Sequence, residues 1–211
     1  MTDRDRLPPP PVLRHEIARR IARFRREHYS RLERTYRDLV EKGQHPRALF
    51  IGCSDSRVIP NLLTGADPGE LFVLRTIGAI VPPHGSDQHA TGAAIEYAVL
   101  ALGVHHIVVC AHSHCGAMRA LYQPPIAGAH HLNLWLEQAR EAALDASESD
   151  EVVVETAQRS VVIGIERLLG YPEVAERVAD GRLALHGLYY IIEEGEILVL
   201  DFSRGEFSPL R

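Results

Sequence analysis

Two short apolar runs end on residues that bind soft divalent metals, and this constrains the chain more than any other feature. Ala48–Gly52 leads into Cys53, Ser54, Asp55, Ser56 and Arg57; His106–Cys110 leads through Ala111 into His112, Ser113, His114, Cys115 and Gly116. Unbroken apolar, β-rich runs of this length are typical of strands buried on both faces, as in parallel sheets. In open parallel sheets, ligands collect beyond the carboxyl ends of the strands, where the strand order switches. As neighbours, these two strands would bring Cys53, His112 and Cys115 to one point.

The rest of the chain fits such a sheet. Leu71–Arg75 reads as another buried strand, and helices are predicted over Gly92–Leu102, about Leu132–Ala146 and Val152–Leu169, the last stopped by Gly170 and Pro172. Arg182–Ile192 and Glu196–Phe202, split by Glu193, Glu194 and Gly195, read as a closing hairpin. The expected fold is α/β: a mostly parallel sheet of about four strands with an antiparallel edge strand, flanked by helices. Ahead of it, Pro8–Pro11 form a stiff lead-in. From Leu13 to Lys42, Leu13, Ile17, Ile21, Phe24, Leu32, Tyr36 and Leu39 recur at helical spacing, with a break expected near Tyr29 and Ser30. Residues 1–42 are thus an extension and helical arm, and 43–211 a single α/β domain carrying both metal-binding runs. The arginines of the arm, among them Arg19, Arg20, Arg23, Arg25 and Arg26, read as a solvated face because acids are interleaved downstream.

Composition narrows the function. A chain of 211 residues with a net charge of −5 gives no footprint for nucleic acid or an anionic membrane. No apolar stretch approaches a membrane span. Three cysteines, an odd number without framework spacing, point to a reducing compartment and metal chemistry. Cytoplasm is the expected location, a bacterial microcompartment within it included.

Two thiolates and an imidazole leave one place open in a tetrahedron, which distinguishes catalytic from structural zinc. Such a set has no net charge left over and acidifies water less than three neutral ligands do. A compensating pair is therefore expected, and Asp55 with Arg57 supplies it, close enough for a bidentate contact. Asp55 has two options. It can accept a hydrogen bond from water at the open place, or swing onto the metal and shut the site. The same residues also describe a structural zinc permanently closed by Asp55. Gly116 is expected to start a short helix whose N-terminus favours thiolate at Cys115. Cys110, inside an apolar strand, reads as an inert buried thiol. His105, His106, His114, His130 and His131 each read as ordinary histidines.

The pair of motifs, Cys53-x-Asp55-x-Arg57 and His112-x-x-Cys115-Gly116, resembles the β-class carbonic anhydrases, in particular their plant-like branch. The resemblance runs from the arm to the hairpin around His186, Gly187, Glu194 and Gly195. It implies one zinc ion per chain on Cys53, His112 and Cys115, and reversible hydration of carbon dioxide to bicarbonate. It also implies Asp55 and Arg57 as the catalytic dyad. Gln44 falls where that branch binds substrate, and Phe72, Ile77 and Tyr97 where it has an apolar wall partly contributed by a neighbouring subunit. The arm, unable to bury its stripe alone, implies a homodimer or a higher even assembly. Thr76 and Ala79 replace asparagines, and Ala111 replaces a glycine, where an added methyl crowds the backbone if φ must be positive. A catalytically silent scaffold component, and a hydrolase of carbonyl sulfide or carbon disulfide, are the alternative functions.

Overall fold

The computed structural model describes residues 13–86 and 89–210, so the proline lead-in Pro8–Pro11 lies outside the described residues. The chain divides after Gly43 into two compact units.

The first unit is helical. Helix α1 (Leu13–Arg23) passes through a wider, π-helical stretch, Phe24–Tyr29, into α2 (Ser30–Lys42). The break expected near Tyr29 and Ser30 does not occur, because Ser30 keeps helical dihedrals (φ −57°, ψ −29°). The disturbance is absorbed as a run of widened turns instead, with the Ser30 hydroxyl donating to the Arg26 carbonyl at 2.9 Å. Tyr29 and Tyr36 stack at 5.7 Å between ring centroids. Arg20, Arg23 and Arg37 pair with Glu16, Glu27 and Glu33 one turn away, which matches a solvated face held by i,i+4 pairs. Ile17, Ile21, Phe24 and Val40 remain exposed.

The second unit is built on six strands: β1 (Ala48–Cys53), β2 (Leu71–Thr76), β3 (His106–His112), β4 (Ala184–Ile191), β5 (Glu196–Asp201) and β6 (Glu206–Pro209). Their spatial order is β2-β1-β3-β4-β5-β6. The first four run parallel and β5 and β6 are antiparallel, so the antiparallel edge has two strands where one was expected. In β1 every residue after Ala48 is buried, as a strand covered on both faces requires. Leaving β1 the chain turns first to β2 on one side and later to β3 on the other. The switch in order therefore falls between β1 and β3.

Helices α3 (Pro60–Thr64), α4 (Ala90–Glu96, continued by a widened stretch to Ala101), α5 (Gly116–Ala120), α6 (His130–Glu137), α7 (Asp150–Leu168) and α8 (Pro172–Ala179) complete the unit. Ser149 caps α7 by accepting from the Val152 N–H at 3.2 Å. The apolar stripe of α7 (Val153, Ala157, Val161, Ile165) joins Leu49, Ile51, Ile107 and Val109 in one core. Gly187 permits the close approach: a Cβ there would stand 2.9 Å from both Val161 and Leu200 side-chain atoms. The long helix predicted over 132–146 is shorter. After Ala139 leaves the helical region (φ −104°, ψ 3°) only one tight turn, Arg140–Ala142, remains. Arg140 donates instead to the Leu121 carbonyl and Leu144 N–H to the Tyr122 hydroxyl, so tertiary bonds replace helical ones. Among the described residues no helix is long and apolar enough to cross a membrane.

Candidate metal centre

The carboxyl ends of β1 and β3 carry the centre. Cys53 is the last residue of β1 and His112 the last of β3, and the two strands are hydrogen-bonded neighbours. Cys115 follows three residues later, immediately before α5. One donor atom from each of the three lies within 4.8 Å of the others, and all three residues are buried. Two sulfurs on a tetrahedral ion at about 2.3 Å would stand about 3.7 Å apart, inside that spacing.

His112 supplies the sharpest test of fit. Its Nδ1 lies 2.8 Å from the Ser113 carbonyl, which can only accept, so Nδ1 carries the proton. The lone pair is then on Nε2, which is buried and has no hydrogen-bond partner. A ring whose far nitrogen is anchored to a carbonyl while the near one lacks a partner has the arrangement that metal-ligating histidines adopt.

The two thiols share their protons unequally. The Cys115 thiol and the backbone N–H groups of Asp55 and Gly78 hydrogen-bond the Cys53 sulfur and, with the His112 ring beside it, hold its pKa down to about 4. Cys115 is pushed up by its bond to Cys53 and by burial. The N–H groups of Ala117 and Met118 at the start of α5 oppose this but are outweighed. The helix end thus favours thiolate at Cys115, as expected, but the bond to Cys53 and burial prevail, and Cys53 ionises first. Burial pushes Cys110 up to about 12, consistent with an inert thiol.

Asp55 and Arg57 meet as the sequence suggests. Arg57 Nε donates to Asp55 Oδ1 at 2.9 Å and Nη2 to Oδ2 at 2.8 Å, and the Arg57 N–H adds a third bond to Oδ1. The guanidinium holds the Asp55 carboxyl well below the usual carboxylate range. Arg75, which sequence reasoning did not single out, clamps the same turn: Nε donates to the Cys53 carbonyl at 3.0 Å and Nη2 to the Asp55 carbonyl at 2.6 Å. A lone cation near the end of an apolar strand was the available signal.

The other predicted residues divide between the two ends of the sheet. Thr76 is in register with Cys53, so Ile77 stands at the level of the centre, half exposed, its carbonyl held by Trp135 Nε1 at 2.8 Å. Gly116 is exposed, with nothing within 4 Å of where its Cβ would be. Phe72, however, is aligned with Leu49, about 13 Å back along the strand. Its ring packs on Tyr97 at 5.7 Å. Gln44 is exposed and precedes β1, which separates it from Cys53. A single chain therefore does not gather Gln44, Phe72 and Tyr97 around its own Cys53, His112 and Cys115.

Of the three departures from the family pattern, Ala111 lies in β3 without positive φ, so the crowding foreseen there does not arise. Among the described residues other than glycine, positive φ occurs at Ala79 (54°) and His114 (55°). The strained position is thus Ala79, where asparagine tolerates the left-handed region better than alanine. The Thr76 hydroxyl is buried without a hydrogen-bond partner. Next to them Gly78, at φ 75°, admits no side chain: a Cβ would meet Met118 at 2.9 Å and Ala117 at 3.0 Å.

Comparison with known proteins agrees with the geometry. The family described as "Carbonic anhydrase" matches residues 48–197. The carbonic anhydrase of Synechococcus elongatus is 42% identical over 200 residues, covering 86% of this chain and 69% of that protein. That of Pseudomonas aeruginosa is 42% identical over 198 residues, covering 89% and 88%. Among solved structures, the β-carbonic anhydrase CcaA superposes with a TM-score of 0.87 at 36% identity, covering 94% of this chain and 100% of that one. A tetrameric β-carbonic anhydrase of Sordaria macrospora gives 0.72 at 32% identity, covering 90% and 94%. This chain belongs to the carbonic anhydrase family, in its β class.

Proposed function

We propose that the protein interconverts carbon dioxide and bicarbonate at a zinc ion held by Cys53, His112 and Cys115. The unpartnered, buried Nε2 of His112 facing two cysteine sulfurs carries this reading. When bound there, zinc supplies the Lewis acidity that makes water nucleophilic near neutral pH. Asp55, ionised throughout the working range, keeps one acceptor site free, on Oδ2, beyond those given to Arg57. It accepts a hydrogen bond from the attacking water and so aims it. Arg57 keeps the carboxylate in that orientation and away from the metal. Ile77 supplies one apolar wall for the carbon dioxide, and Gly116 leaves room for the product. Oxygen-18 exchange between labelled bicarbonate and water tests the reaction: loss of label accelerated by the zinc-loaded protein, and not by the chelated one, is expected. Equal rates would refute it.

Loading should be proton-linked. At neutral pH Cys53 is ionised and Cys115 holds its proton, so zinc displaces about one proton, and affinity falls roughly tenfold for each pH unit below 7. Calorimetric titration in two buffers of different ionisation enthalpy counts that proton. Zero released protons would contradict the assignment of Cys115 as a ligand.

The placement of Gln44, Phe72 and Tyr97 at the far end of β1 and β2 supports a pocket completed by a second copy. The exposed Tyr97, Leu100, Ile17 and Ile21 supply apolar surface for such an assembly. Residues 1–42 then serve association and residues 43–211 chemistry, in a dimer or higher even oligomer without nucleic acid or membrane, in the cytoplasm or a microcompartment. Sedimentation at micromolar concentration should show no single chains; an active monomer would rule out the shared pocket.

A further inference from the structure

We infer that Glu193 is a positioning residue of the metal centre, holding the Ser113–His114 bend that aims the His112 ring and anchors Arg57. This rests on the reading of Cys53, His112 and Cys115 as metal ligands.

Glu193 lies in the turn between β4 and β5, eighty residues from Ser113. Its Oε2 accepts from the Ser113 hydroxyl at 2.7 Å, and its Oε1 is 3.1 Å from His114 Nε2. The Ser113 hydroxyl accepts in turn from the Ile192 N–H at 2.9 Å, and the Ser113 N–H donates to the Tyr190 carbonyl at 2.9 Å. The hairpin thus grips this two-residue bend through both backbone and side chain. Ser113 is buried, whereas His114 and Glu193 are half exposed. The exposed contact between Glu193 and His114 alone would contribute little, so the bond to Ser113 is the effective one.

The bend is under strain. His114 sits at φ 55°, a conformation that costs a residue with a side chain and persists only where its surroundings enforce it. Both carbonyls of the bend are in use. That of Ser113 accepts from His112 Nδ1 at 2.8 Å and so fixes which nitrogen faces the sulfurs; that of His114 accepts from Arg57 Nη2 at 3.3 Å. Releasing the bend would turn both carbonyls. Glu193 therefore acts on metal affinity through Ser113 and His112, and on the Asp55 dyad through His114 and Arg57, without touching either reacting group.

Zinc affinity by chelator competition, and the ring nitrogens of His112 by two-bond proton–nitrogen correlation in the zinc-free protein, test this together. Glu193→Ala should bind zinc about tenfold more weakly, and its His112 ring should depart from the Nδ1-protonated tautomer of the wild type. Glu193→Gln should stay within about twofold, because its amide oxygen accepts from Ser113 and its NH2 can serve His114. Ser113→Ala removes the same bond from the other side and should match Glu193→Ala, which covers the case of a variant that fails to fold. Unchanged affinity and unchanged His112 signals in Glu193→Ala or Ser113→Ala would overturn the inference, as would Glu193→Gln failing like alanine. A wild type without zinc affinity would overturn the metal assignment instead, and the clamp is then decided by the His112 ring alone.

Discussion

Cys53→Ser is expected to lose zinc and, with it, carbon dioxide hydration. Structural zinc sites with four protein ligands bind with about 10–16 kcal/mol, or about 2.5–4 kcal/mol per ligand. Losing one ligand therefore weakens binding a few hundredfold. Serine keeps the shape of the side chain but supplies no thiolate, and a neutral hydroxyl is a poor substitute for a soft ligand on this metal. The loss is sharpened because Cys53 is the thiol that ionises first, its pKa held down to about 4 chiefly by the Cys115 thiol and two backbone N–H groups. The fold should survive, since the change in volume is small and β1 keeps its ladder to β2 and β3. Zinc content after dialysis, circular dichroism and hydration rate measured on one sample check this. A folded Cys53→Ser chain that retains full zinc would show that the metal is held elsewhere.

Asp55→Ala should separate binding from turnover. The carboxylate is not among the three clustered donors, and both its oxygens are engaged by Arg57. Zinc should therefore remain, at one per chain. What is lost is the acceptor that orients the attacking water, a contribution of about 10²–10⁴ in proton-transfer catalysis; we expect kcat to fall about a hundredfold with KM little changed. Because Arg57 holds the Asp55 carboxyl well below the usual carboxylate range, the residue stays ionised across the working pH. The midpoint of the pH–rate profile should consequently not be its own ionisation. Metal loss in Asp55→Ala would instead identify Asp55 as an essential fourth ligand and favour a structural zinc.

The parts of this molecule that could be read from sequence are those where one local rule decides. The apolar runs ending at Gly52 and Cys110 could only be buried strands, and their ends carry Cys53 and His112. Asp55 and Arg57 share a turn, so their pairing follows from spacing alone. The misreadings came where distant contacts or reused signals decide. Pro172 marks the stop after α7, but proline also suits the first position of a helix, and α8 begins on it. Strand β6 is four residues long and ends on Pro209, too short to show alternation; the Asp201 turn, with its carbonyl accepting from the Arg204 and Gly205 N–H groups, brings it back against β5. Helix α6 ends early because Tyr122 and Leu121 offer partners to Leu144 and Arg140 that no local pattern reveals. Glu193 lies eighty residues from the loop it grips. The split of Gln44, Phe72 and Tyr97 from Ile77 depends on register between β1 and β2, which motif order does not contain.

The proposed activity requires that Cys53, His112 and Cys115 hold a metal that makes the chain a carbon dioxide hydratase. Stopped-flow hydration during titration of the chelator-stripped protein with zinc tests it most directly. The rate should rise from the uncatalysed level and level off at one zinc per chain. A chain that takes up its zinc and still hydrates carbon dioxide no faster than buffer would contradict the account.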